Sequence, residues 1–483
     1  MKTNKYLNIG LSLVALVFTA TSCTDDFEEI NTNPNGPISV PSDLLLTSIQ
    51  ESTADILYNA QIGGDMGACI IQHWGKVQYN DEERYAFRSG VINNIWNGFY
   101  AGGINDAKAM IRLAEEEENE VNQGVGKIMQ AYIYSLLVEM YGPIPFSEAL
   151  LADEGNTTPA YDDEATVYSG IIDLYDEGIA LLDGSGSINE TQDLMYDGDV
   201  DQWKKAANSL KFRTLMRISD ASVAGVDVAA GLQSIVNSGV HFTSNADNAI
   251  LPYTGVNPNA NPIWNTIVFT TRSEYKINQT TVQLLEGLND PRLAVYAQPN
   301  DGGIIRGVAP GILNPVQNGF SYANVSALGT QFLAADFPAT FMSYSELNFL
   351  LAEAAKRGLI NGGDAAAEQF YNAGITASFD TYGVAGASNY ISNEVAYEAA
   401  NALEQIGTQN YIALYSQGVE AWTEWRRTKF PALSPAIDPI VGTQIPSRYT
   451  YPTDEQSLNS TNYSAGSSML GGDDLSTKLI FVK

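Results

Sequence analysis

The chain has 483 residues, 45% of them hydrophobic and 17% charged, ordinary values for a folded protein with a sizeable core. It carries 56 Asp and Glu against 25 Lys and Arg, a formal charge of −31 that repels nucleic acid and anionic lipid, and no basic stripe offsets it. Two histidines and two cysteines leave zinc sites, histidine triads and disulfide frameworks little to build from.

At the N-terminus, Lys2 and Lys5 precede an apolar stretch over 7–18, and Ala20-Thr21-Ser22 lead into Cys23. That pattern reads as a secretory signal over 1–22, too short to span a bilayer. Cys23 at the cleavage point resembles a bacterial lipobox, with Ala20 where Leu is usual, so its thiol is expected to be acylated. Stable anchoring needs at least two acyl chains, which a diacylated or triacylated cysteine supplies. Thr24-Asp25-Asp26-Phe27-Glu28-Glu29 resembles the acidic export signal of Bacteroidetes surface lipoproteins. Cleavage near Ala20 with simple secretion is the alternative. Residues 23–40, dense in turn formers around Asn33-Pro34-Asn35-Gly36-Pro37, read as a tether. A lipidated Cys23 leaves Cys69 without a disulfide partner, and its apolar surroundings suit a small buried hydrophobe.

Residues 41–483 read as a single domain. A helix begins at Ser42 and carries Leu46, Ile49 and Ile56; helices are expected over 96–118 and over 125–140, the latter stopped by Gly142-Pro143. A second pair covers 165–182 and 202–219, with Asp201 as the expected N-cap of the latter. Trp203, Ala206, Ala207, Leu210, Thr214 and Ile218 make one stripe, and Phe212, Leu215 and Met216 another, so this helix should lie between neighbours. Residues 240–335 lose helical period and are rich in Asn, Gly, Pro, Thr and aromatics, with one short helix over 280–288. Long irregular segments in a helical protein commonly carry function. Helices resume near 342–430: Leu347, Leu350, Leu351, Ala354 and Ala355 recur at helical spacing before Gly358, residues 364–377 pair with them, and Tyr411, Leu414, Tyr415, Gly418, Trp422 and Trp425 form another stripe. The tail over 431–483 reads as extended and loop-rich. Successive pairs near 42–240 and 342–430 suggest a mostly α, tetratricopeptide-like scaffold of about four helix pairs, without a strict repeat period.

Several segments carry a family resemblance. They are Cys23 to Asn35; Glu139-Met140-Tyr141-Gly142-Pro143-Ile144-Pro145-Phe146; Trp203-Lys204-Lys205-Ala206-Ala207 through Arg213; and Asp290-Pro291-Arg292. Further on come Tyr344-Ser345-Glu346-Leu347 through Glu353-Ala354, Glu420-Ala421-Trp422 through Thr428, and Pro446, Arg448, Tyr451-Pro452, Glu455 and Asn459. In this order the chain resembles the SusD/RagB outer-membrane nutrient-binding lipoproteins, in particular their second SusD-like subfamily in Bacteroidetes. Ser447 departs from the Arg often found there. The resemblance implies a helical-repeat fold with an irregular ligand-binding half, a SusC-like TonB-dependent barrel as partner, and a role as a hinged lid. It implies outer-membrane, outward-facing localisation and capture of oligosaccharides or oligopeptides, without cofactor or catalysis. A non-transport surface interaction protein is the remaining reading.

Most shared polar residues suit structure. Glu346 and Glu353, seven apart on one helix face, are expected to pair with Arg213, Arg217, Arg426 or Arg427. Asp197, Asp199 and Asp201 begin like a calcium loop, but Gln202 and Asn208 stand where Gly and Glu are needed, so no metal is expected. No motif singles out a catalytic carboxylate pair. Sugar recognition needs aromatic faces for C–H patches and short polar groups for hydroxyls. Two segments outside the helix stripes offer them: His73, Trp74, Tyr79 and Asn80 in the first, Asn261 and Trp264 in the second, with Tyr275, Arg306 and Tyr322 further along. These nine are the ligand-binding candidates.

Overall fold

The computed structural model describes residues 40–483; the signal segment, Cys23 and nearly all of the tether lie outside the described residues. Counting α-helices of nine residues or more, the order is α1 (Ser42–Leu57), α2 (Ser89–Asn97), α3 (Asn105–Glu116), α4 (Glu120–Tyr141), α5 (Glu164–Leu181), α6 (Val200–Arg217) and α7 (Val228–Ser238). There follow α8 (Gln279–Gly287), α9 (Tyr344–Lys356), α10 (Gly363–Thr381), α11 (Ala402–Ala413), α12 (Gly418–Thr428) and α13 (Ser460–Leu470). Four short strands, β1 (Trp74–Lys76), β2 (Ala249–Leu251), β3 (Tyr275–Ile277) and β4 (Ala339–Met342), form two antiparallel ribbons, β1 with β3 and β2 with β4. The fold is mostly α, with helices stacked in tetratricopeptide-like succession: α3 on α4, α4 on α5, α5 on α6, α6 on α9, and α9 on α10 and α11.

Local signals set most boundaries. Asn119 Oδ1 accepts from Asn122 N at 3.0 Å and starts α4 earlier than its apolar stripe, and Gly142 at φ 87 ends it. Asn278 Oδ1 accepts from Thr280 N at 3.0 Å and caps α8. Four expectations are corrected. The helix expected over 96–118 is α2, a π-helical stretch Gly98–Ile104 and α3 in succession. A Cβ on Gly98 would stand 2.6 Å from Ile56 of α1, and one on Gly103 2.7 Å from Ile133 of α4, so close packing accounts for the glycines and a widened turn accompanies them. The stripe from Tyr411 to Trp425 spans a break between α11 and α12 at residues 414–417. Asp199, rather than Asp201, caps α6, accepting from Asp201 N at 2.9 Å and Gln202 N at 3.1 Å. The tail contains Thr453–Leu458 and α13 instead of being wholly extended.

Buried charge ties the helices together. Arg213 of α6 forks onto Glu346 of α9 at 2.6 and 2.7 Å, and Arg427 of α12 reaches Glu353 at 2.7 Å and Glu424 at 3.1 Å. Arg217 meets Glu139 of α4 at 3.1 Å together with Glu420 and Glu424 of α12. Arg426 instead donates to the carbonyls of Glu139 and Ser447 at 2.7 and 2.8 Å and lies over the Trp422 ring. Cys69 is a buried free thiol, pushed up in pKa by desolvation.

Candidate functional site

A glycine contact sets the floor of a surface cleft. The π-helical segment Ala60–Ala68 packs on the start of α12 through Gly67 and Gly418; a Cβ on Gly67 would stand 2.7 Å from the Gly418 carbonyl carbon. This holds Asn59, Gln61 and Asp65 beside the β1–β3 ribbon, where Lys76 pairs in register with Tyr275. Together with Tyr79, Asp81, Glu82, Arg88, Thr266, Thr270 and Arg272 they enclose a cleft of about 850 Å³.

Beneath the cleft, Asp65 receives Lys76 Nζ at 3.0 Å and Arg88 at 3.4 Å. Burial pushes the Asp65 carboxyl up to about 6, against the pull of Lys76. Glu83 Oε2 accepts from the Lys76 backbone N–H at 3.0 Å, and desolvation pushes this carboxyl up to about 8. At the rim the Tyr79 ring is 63% exposed, with the Arg272 guanidinium 5.5 Å from its centroid. Its φ of 55° is left-handed, an uncommon conformation for a bulky residue. Tyr322, 41% exposed, donates to Gln78 Oε1 at 2.9 Å and has Lys276 Nζ 5.7 Å from its ring. The turn that carries Thr266 and Thr270 also presents the half-buried Trp264 ring against exposed Phe269, centroids 5.5 Å apart.

Of the nine candidates, Tyr79 and Tyr275 line the cleft, Tyr322 bonds to the neighbour of Tyr79, and Trp264 stands on the adjoining turn. The other five are employed elsewhere. His73 is fully enclosed, its ring 4.2 Å from that of Tyr411, and burial pushes its pKa down to about 3. Trp74 is buried edge-on to Tyr275. Asn80 Nδ2 donates to the Ile312 carbonyl at 2.8 Å. Asn261 is fully buried, its Oδ1 accepting from Ile263 N at 2.8 Å and its Nδ2 donating to Phe337 O at 2.8 Å. Arg306 lies over the Phe320 ring, 4.9 Å from its centroid, away from the cleft wall. Sequence reasoning missed Gln61, Asp65, Arg88 and Arg272. Asp65 had one signal, a lone carboxylate inside the apolar, glycine-rich run Ile62-Gly63-Gly64-Asp65-Met66.

The stacked-helix scaffold thus carries an open cleft with aromatic and hydrogen-bonding walls. The family model described as "Starch-binding associating with outer membrane" (SusD-like) matches residues 34–452, and the chain belongs to that family of outer-membrane-associated binding proteins. Among solved structures, a chitin-binding protein is 27% identical, with 92% of this chain and 100% of that one covered at a TM-score of 0.81. A SusD homologue from Bacteroides fragilis NCTC 9343 is 25% identical, with coverage of 92% and 99% and a TM-score of 0.78. A chitin-binding SusD homologue from Flavobacterium johnsoniae shares the fold at 22% identity, coverage of 91% and 97% and a TM-score of 0.76. No protein of curated function matches the sequence. Among the described residues no helix is long and apolar enough to cross a membrane.

Proposed function

We propose that the protein is a cell-surface lipoprotein, acylated at Cys23, that captures neutral oligosaccharides in this cleft. It then passes them, as a hinged lid, to a SusC-like TonB-dependent barrel. The observation that carries the saccharide reading is the exposed Tyr79 ring at the rim of a charge-balanced wall. Asp65, Asp81 and Glu82 stand against Lys76, Arg88 and Arg272, so the cleft is formally neutral in a chain of charge −31. A wall without net charge sets no overall preference for an ionic ligand, while the Tyr79 ring face and the polar groups suit the C–H patches and hydroxyls of a sugar chain. The starch-binding description of the family and the chitin-binding structural relative support the same ligand class.

Calorimetric titration with maltooligosaccharides, chitooligosaccharides and oligopeptides tests the reading. Saturable binding of at least one saccharide series is expected; binding of peptides alone would overturn it. For the anchor, Cys23→Ala should move the protein from the membrane fraction to the soluble one, and retention in the membrane would contradict acylation there.

A further inference from the structure

Four Asn-Gly steps stand in the chain: Asn35-Gly36, Asn97-Gly98, Asn318-Gly319 and Asn361-Gly362. An Asn followed by Gly lets the next backbone nitrogen approach the side-chain carbonyl carbon most freely, because no Cβ stands in the way. Ring closure needs both partners loose: an amide side chain able to rotate, and a following N–H not already bound. The first step lies outside the described residues, and the other three differ. Asn97 ends α2, and the Gly98 N–H donates to the Asn94 and Ile95 carbonyls within the helix. Asn318 Nδ2 donates to the Leu313 carbonyl at 2.7 Å, and the Gly319 N–H donates to the Val316 carbonyl at 3.2 Å. Asn361 and Gly362, in the turn between α9 and α10, are both exposed. The Asn361 backbone N–H donates to Gln233 Oε1 of α7 at 2.8 Å, but its side chain and the Gly362 N–H have no hydrogen-bond partner among the described residues. The fold fixes the glycine: Gly362 has φ 115°, and a Cβ there would stand 2.4 Å from that of Ala366.

We propose that Asn361 is a site of spontaneous deamidation in the folded protein. The Gly362 backbone nitrogen, its proton taken by hydroxide, attacks Asn361 Cγ. The Cγ–Nδ2 bond breaks and ammonia leaves, so the turn holds a cyclic imide. Water then opens the imide at either carbonyl and leaves aspartate or isoaspartate at position 361, with nothing oxidised or reduced. Either product adds a negative charge beside Gly362, the N-cap of α10, which offers no side-chain cap of its own. The helix dipole favours an anion at that end, so the charge is accepted where it forms. Isoaspartate also lengthens the backbone next to the bond to Gln233.

The test incubates the full chain in mildly alkaline buffer, folded and in concentrated urea. Each Asn-Gly step is followed by peptide mapping with mass spectrometry and by isoaspartate-specific methylation. In the folded chain, aspartate and isoaspartate should accumulate at position 361 about tenfold faster or more than at 97 or 318, because those two must first open a hydrogen bond. The rate at 361 should rise with pH, and in urea the three rates should converge. Asn361 kept intact in the folded chain while it reacts in urea, or reacting no faster than Asn97 and Asn318 in the folded chain, would overturn the proposal.

Discussion

Tyr79 combines two properties that an ordinary surface residue avoids: an exposed ring and a left-handed backbone at φ 55°. Such a conformation costs a non-glycine residue on the order of 1–2 kcal/mol, and strain of this kind gathers at functional positions. Tyr79→Gly relieves the strain while deleting the ring. We expect a melting temperature at or above that of the parent, with saccharide affinity reduced about tenfold or more, an aromatic contact being worth about 0.5–1.5 kcal/mol beyond its buried area. Unchanged affinity in titration would remove Tyr79 from the site. His73 teaches the opposite lesson. It sits six residues before Tyr79 in an equally aromatic, polar segment, yet the ring is enclosed against Tyr411 and Tyr415. Composition describes both residues alike; only packing against distant segments encloses one of them.

The helices are joined by arginine forks whose spacing is legible in the amino-acid sequence. Arg213 and Arg217 lie four apart on α6, Glu420 and Glu424 four apart on α12, and Glu346 and Glu353 seven apart on α9, each set on one face. The expected pairing holds for Arg213 with Glu346 and for Arg427 with Glu353, whereas Arg217 takes carboxylates from α4 and α12 and Arg426 binds carbonyls. Which arginine meets which acid depends on the rotation of each helix about its axis, and pattern alone leaves that open. The Arg427 and Arg357 guanidinium groups hold the Glu353 carboxyl down to about 2 despite its burial. Glu353→Ala strands Arg427 with one carboxylate fewer and should destabilise the fold by about 3–5 kcal/mol in chemical denaturation. Asp220→Ala, which removes the half-exposed partner of Arg357, should cost about 0–1 kcal/mol. Equal losses would show that the buried network is not the stabilising element.

Across the whole molecule, the cleft exists because β1 and β3, far apart in the chain, pair above the π-helical segment Ala60–Ala68. Glu83 is sealed beneath that ribbon, and its carboxyl titrates near 8 because burial outweighs its hydrogen bond from the Lys76 N–H. From about 4.5 to about 8 the folded chain therefore keeps a proton that the unfolded chain releases. Its contribution to stability is complete below the lower value and is lost as pH rises through the upper one. In thermal melts, the parent should lose stability relative to Glu83→Gln as pH rises from about 5 to 8, and a constant difference would contradict the shift. The helical-repeat scaffold, the family and most helix ends were legible in the amino-acid sequence, because apolar period and glycine stops act over a few residues. Tertiary structure alone decided which aromatics face solvent, where the tail and the 411–425 stripe break, and that Asp65 and Arg272 share one cleft. Those outcomes depend on contacts between distant segments, whose balance of burial and hydrogen bonding no local window contains.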